Sequence, residues 1–262
     1  MVVNRHEIVR ALLGLGVESG VAADLPDLPS GVIGLMVYGS QARGDAVDDS
    51  DLDLLALSVA PRPSIQVALV SISFYTSQML ETGIGTLFGA HLNRDGKILI
   101  DKDNQLRTAI DSMGEVDTDR LFERARRMSQ LFTSLDRDLP KYLPGLVREA
   151  RYLLRSCYYA RAISDGEPCF SIRELAKRHK DPVLVRLLAS RHQQEPSVRE
   201  LTECLARLRG VLGDFPRSEH GSLEATIVNE WESPGDLLSM AFLALGVTGQ
   251  GSDYAEVGKI LL

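Results

Sequence analysis

Two apolar runs, joined by a glycine-serine break and an acidic step, constrain this chain more than any other feature. From Val32 to Tyr38 the run VIGLMVY is apolar and partly β-branched, Gly39-Ser40 interrupts it, and after a polar stretch Leu52 to Ser58 is strand-like again. Residues two apart on a strand share a side, so Asp51 and Asp53 present both carboxylates on one face while Leu52 and Leu54 turn toward the core. Two carboxylates held close repel each other unless a cation neutralises them. Hard oxygen ligands of this kind suit Mg²⁺ or Mn²⁺ carried with a nucleoside triphosphate. Gly39 permits a close backbone approach to a phosphate, and Ser40 offers a hydroxyl ligand and is expected to cap the helical turn that starts beside it.

The flanking sequence divides by pattern. Asn4 and Glu7 have capping-box spacing before Ile8, Val9, Leu12 and Leu13, which predicts a helix over 5–15. A third strand is expected over 65–71, a glycine-interrupted helix over 76–92 and a short strand over 97–101. Beyond about residue 118 strand signals stop. Helical periodicity predicts helices over 118–136, 143–163, 171–179, 182–191, 197–212, 222–232 and 235–245, with Pro140, Pro144, Pro168, Pro182 and Pro196 as boundaries. The expected organisation is a strand-containing domain over 1–115 and a helical domain over 116–262.

The segment YGSQARGDAVDDSDLDLL resembles the DNA polymerase β superfamily of nucleotidyltransferases, above all the minimal nucleotidyltransferases and the aminoglycoside adenylyltransferases. The likeness rests on the Gly-Ser turn, Ala42-Arg43-Gly44, and Asp51-Leu52-Asp53 ten residues on, with an apolar strand on each side. It implies an α+β fold: a mixed sheet with helices on one side, followed here by an all-helical bundle. It also implies transfer of a nucleoside monophosphate from a triphosphate such as ATP to a hydroxyl, with Asp51 and Asp53 as catalytic metal ligands. Gly39, Ser40 and Arg43 would lie at the phosphates.

The family places a third acid on the next strand, and the expected strand SIQVALVS holds Gln66 there, which can neither take a proton nor add a negative charge. Glu149, in VREARYLLRSCYYARA, is the candidate replacement, set against a solvated residue pairing with Arg148 or Arg151. Arg148, Arg151, Arg155 and Arg161 place much cationic charge on one side of that helix, either to clamp a triphosphate or to cover apolar surface with their stems. Arg173 with His179, and Arg186 with His192, fit the loose Arg-His spacing of HEPN ribonucleases. So permissive a pattern is expected by chance in an arginine-rich bundle, and His91 and His220 stand alone as potential ligands.

Charge narrows the partners. The net charge of −7 separates into −9 over 1–119, +8 over 120–209 and −6 over 210–262, which suggests an acidic module facing a basic one. The acidic balance suits a small cationic hydroxyl acceptor such as an aminoglycoside; the basic middle suits RNA, and a protein side chain is a further acceptor class. A nucleotide-binding protein with a degenerate site is the reading that Gln66 favours. Cys157, Cys169 and Cys204 show no pairing pattern, the N-terminus has no signal-peptide run, and Leu237–Val247 is too short to span a bilayer, so a cytoplasmic protein is expected, without membrane partners.

Overall fold

The computed structural model describes residues 4–47, 50–189, 195–232 and 235–246. The chain divides into two compact units, 1–116 and 117–262. The first is built on a sheet. Helices α1 (Arg5–Gly14) and α2 (Ser19–Ala23) precede β1 (Val32–Tyr38), the one-turn α3 (Gly39–Arg43) and β2 (Leu52–Ser58). Then follow β3 (Ile65–Val67), β4 (Val70–Tyr75), α4 (Ser77–Glu81), α5 (Leu87–Asp95), β5 (Lys97–Asp101) and α6 (Gln105–Asp111).

The strand order is β3-β4-β2-β1-β5. β1 runs antiparallel to both β2 and β5, β3 is antiparallel to β4, and β2 is parallel to β4, so the sheet is mixed. One face is the main core. Leu52, Leu54 and Ala56 of β2 alternate inward with Val70, Ile72 and Phe74 of β4 and with Leu35 and Val37 of β1, packing on Ile8, Leu12, Val21 and Ala22. The opposite face takes Tyr38, whose ring meets Phe88 and His91 of α5 edge-on at 6.4 and 6.1 Å between centroids.

Three local expectations change. The single strand over 65–71 is a hairpin, because Ala68 adopts a positive φ of 47° between β3 and β4. The helix over 76–92 splits into α4 and α5, Thr76 and Thr86 each capping one through its hydroxyl. Asn4 caps α1 by accepting from the His6 amide, not the Glu7 amide that a capping box would use.

The second unit is helical in all its described elements: α7 (Thr118–Ser129), α8 (Leu139–Ser164), α9 (Ile172–Arg178), α10 (Val183–Leu188), α11 (Val198–Leu212), α12 (Leu223–Glu230) and α13 (Asp236–Leu245). α8 is its spine. It starts before Pro144 and passes it with an irregular Tyr142 (φ −125°), so Pro144 kinks the helix without ending it. A Cβ on Gly145 would fall 1.9 Å from the Ala244 carbonyl oxygen, so only glycine lets α13 cross α8 this closely. The unit's interior also holds charge: Glu149, Arg151, Arg155 and Glu200 are all buried. The three cysteines are buried free thiols, and burial raises the pKa of each. No described helix is long and apolar enough to cross a membrane.

Candidate active site

The pairing of β1 with β2 assembles the site. Tyr38 stands opposite Asp53 in the ladder, so the end of one strand and the beginning of the other meet. Gly39 follows immediately with φ +75°, a left-handed conformation that glycine adopts without strain. A Cβ there would lie 2.8 Å from Asp53 Oδ2, so the missing side chain is what admits the carboxylate beside the turn. Asp51, one residue before β2, and Asp53 are both half-buried, while Leu52 between them is fully buried. Gly39, Ser40, Arg43, Asp51 and Asp53 therefore belong to one end of one sheet.

Ser40 does not cap the turn, contrary to the expectation from sequence. The N-cap of α3 is Tyr38, with no side-chain cap bond. The turn is closed from its other end, where left-handed Gly44 and then Asp45 donate backbone N–H groups to the Ser40 carbonyl at 3.0 and 3.2 Å.

Arg43 is engaged with its own unit. Its Nε donates to Asp45 Oδ1 at 3.2 Å, and its Nη1 lies 3.0 Å from His91 Nε2 and 3.5 Å from Asp95 Oδ2. His91 is not isolated: its Nε2 is also 3.5 Å from Asp95. Burial, reinforced by Arg43 and Arg94, lowers its pKa to about 3, so the ring is neutral at physiological pH. Burial likewise pushes the Asp95 carboxyl up, against the pull of Arg94 and Arg43. In the sequence His91 stands alone and Asp95 draws no notice. Their i, i+4 spacing on a helix is the available signal, but only the packing of α5 beside α3 gives it a partner.

The third carboxylate position moves. β4, not β3, adjoins β2, and Ser71 is the residue in register with Asp53, with Gln66 one strand farther out at the exposed edge. Gln66 is spent locally, its Nε2 donating to the Ala68 carbonyl at 2.9 Å. The row thus reads Tyr38, Asp53, Ser71, Gln66, with a single acid. Among the described residues no three His, Cys, Asp or Glu side chains gather as a metal group. Asp51 and Asp53 nonetheless fit a divalent cation that arrives with its nucleotide, since Mg²⁺ is commonly held by one or two carboxylates and completed by phosphates and water.

Glu149 belongs to the second unit. It pairs with Arg148 at 2.9 Å, as anticipated, but it is buried instead of solvated, and burial raises its pKa. Its helix distributes its arginines to different tasks. Arg151 pairs with Glu200 and Arg155 donates to the Ala189 carbonyl, both buried, whereas Arg148 and Arg161 are largely exposed. His179 packs edge-on against Tyr158, and His220 lies 3.1 Å from Glu230. His192 lies outside the described residues. A cavity of about 510 Å³ in this unit sets Arg126, Arg127 and Arg217 against Glu123, Glu219 and Glu230, a balance that selects neither anion nor cation.

No curated protein matches the chain significantly. The crystal structure of a nucleotidyltransferase-like protein from Exiguobacterium sibiricum 255-15 aligns at 14% identity over 86% of this chain and 90% of that one, with a TM-score of 0.33, too low to bear on fold or function. Residues 20–104, which span β1, the Gly39 turn, β2, β4 and α5, match the family described as nucleotidyltransferase domain. The match covers the Gly-Ser turn and the Asp51-Leu52-Asp53 step, the same residues that resemble the DNA polymerase β-like nucleotidyltransferases, and it makes residues 20–104 similar to that family's domain.

Proposed function

We propose that this domain moves a nucleoside monophosphate from a nucleoside triphosphate, ATP being the expected donor, to a hydroxyl acceptor. The acceptor oxygen attacks the α-phosphorus, the bond to the oxygen bridging the α- and β-phosphorus breaks, pyrophosphate leaves, and the hydroxyl proton is released. The observation that carries this reading is the meeting of Gly39 with Asp53, which sets the Gly39-Ser40 turn directly beside the acidic end of β2. Asp51 and Asp53 would hold Mg²⁺ or Mn²⁺, which supplies charge neutralisation at the phosphates. Gly39 and Ser40 would receive the phosphates. The net charge of −9 over residues 1–119 favours a small cationic acceptor of the aminoglycoside kind over RNA or an acidic protein.

A second reading is favoured by Ser71 and Gln66: nucleotide binding without turnover, since no carboxylate adjoins Asp53 on β4. Loss of a general base costs about 10² to 10⁴ in rate. Glu149 is buried and paired with Arg148, so its carboxylate is engaged within its own unit.

Pyrophosphate release from each of the four ribonucleoside triphosphates, with Mg²⁺ or Mn²⁺ and with aminoglycosides, RNA or protein as acceptor, decides between the readings. We expect release by the wild type and its loss in Asp51→Asn/Asp53→Asn. Silence from the wild type but release by Ser71→Asp would establish the second reading. Nucleotide binding that persists unchanged in the double variant would overturn both.

A further inference from the structure

The stripe of α5 that faces the Gly39 turn consists of Phe88, His91 and Asp95, spaced i, i+3 and i+7 on one side of the helix, and each is more than nine-tenths buried. Phe88 and His91 grip the ring of Tyr38, immediately before the turn. His91 and Asp95 grip Arg43, its last residue. The turn is thus held at both ends by one helix. A guanidinium is always a donor, and the neutral His91 ring has one nitrogen lone pair to offer, so the 3.0 Å contact requires Nε2 as acceptor and the proton on Nδ1. Asp95, also bound by Arg94 at 3.1 Å, supplies the counter-charge. Asp45 engages the Arg43 Nε from beyond the turn. With its Nε and Nη1 both engaged inside the unit, Arg43 is poorly placed to reach for a phosphate.

We propose that Arg43, His91 and Asp95 form a latch that fixes the Gly39–Arg43 turn against α5, so that all three are positioning residues and Arg43 is not a phosphate ligand. Their effect on nucleotide rests on the function proposed above; the latch itself does not. The two roles for Arg43 differ in what His91 should do. If Arg43 bound phosphate, cutting it loose from His91 would leave nucleotide affinity intact or improve it. If it is a latch, losing either partner frees the turn, and losing both adds little.

The test compares the wild type with Arg43→Met, His91→Leu, the double variant and His91→Gln, whose Oε1 can accept where Nε2 did. Amide hydrogen exchange is read at residues 39–44, and the Kd of each nucleoside triphosphate is measured with Mg²⁺. We expect each of the first two variants to speed exchange and weaken binding by about tenfold, the loss of one hydrogen bond to a charged group. The double variant should match the larger single effect, and His91→Gln should stay close to wild type. Additive effects in the double variant, or unchanged exchange with equal or tighter binding in His91→Leu, would overturn the latch. If the wild type binds none of the four nucleotides, the function proposed above falls, and exchange still judges the latch. Should His91→Leu not fold, Arg43→Met, at a partly exposed position, carries the same exchange test against His91→Gln.

Discussion

The start of β2 in the first unit and the interior of the second treat their charged residues in opposite ways. In the first, Asp51 and Asp53 stay half-buried at a strand end, placed there by the ladder between β1 and β2 and by the absence of a side chain on Gly39. In the second, Glu149, Arg151, Arg155 and Glu200 are taken into the interior and consumed by pairing there. A half-buried carboxylate at a strand end remains within reach of solvent and of what solvent carries, whereas one drawn into a buried ion pair has become part of the scaffold. The same residue types, read only as a sequence, look equally available in both places.

This contrast can be broken by exchanging the consequences of mutation. The largest effect is expected at the strand end: Asp53→Asn should lower nucleotidyl transfer about 10³-fold or more, by removing a cation ligand. The same change should move unfolding stability by about 1 kcal/mol or less. A large loss of stability in urea titration would mean that Asp53 is scaffold as well. Glu200→Ala should do the reverse. It leaves Arg151 buried without its partner, at a cost of about 3–5 kcal/mol, and an unfolding midpoint close to wild type would show that the pair relaxes into water.

Gly145→Ala comes next. Its methyl would meet the Ala244 carbonyl oxygen at 1.9 Å, so α13 must shift, costing about 1–3 kcal/mol in thermal or chemical unfolding. Smaller still is Glu149→Gln, which sharpens the comparison through pH. Burial raises the folded-state pKa of Glu149 above its ordinary 4.5, so its contribution to stability is fully present below that value and is lost as pH rises through the folded pKa. The glutamine variant should therefore gain on the wild type as pH increases above about 4.5, and a stability difference independent of pH would refute this. Least is expected of Gln66→Glu. At an exposed sheet edge one strand beyond Ser71, it should change stability by less than about 0.5 kcal/mol and leave transfer unchanged. Restored or improved transfer would return the third carboxylate position to Gln66.

Much of the site is legible in the amino-acid sequence. The strand, the Gly-Ser break and the Asp-Leu-Asp step are local features, and period-two alternation already sets Leu52 and Leu54 inward and the two carboxylates on the other face. Gln66 is misplaced by sequence because the turn at Ala68 has a positive φ at a residue type that carries no turn signature, so a hairpin looks like one strand. The arginines of α8 are legible as a basic side but not as buried, since burial depends on Glu200 forty-nine residues away meeting Arg151.

The sequence by itself determined the sheet-then-helix order, the acidic pair and the likeness of residues 20–104 to a nucleotidyltransferase domain, because these rest on local periodicity and on a motif contained in a few tens of residues. Only the tertiary structure decided which strand neighbours Asp53, that Ser71 is the residue beside it, and that Arg43 is held by His91 and Asp95. Each of these is a contact between segments distant in the chain. Strand order and helix docking are set by how buried faces fit together, and no local pattern encodes them.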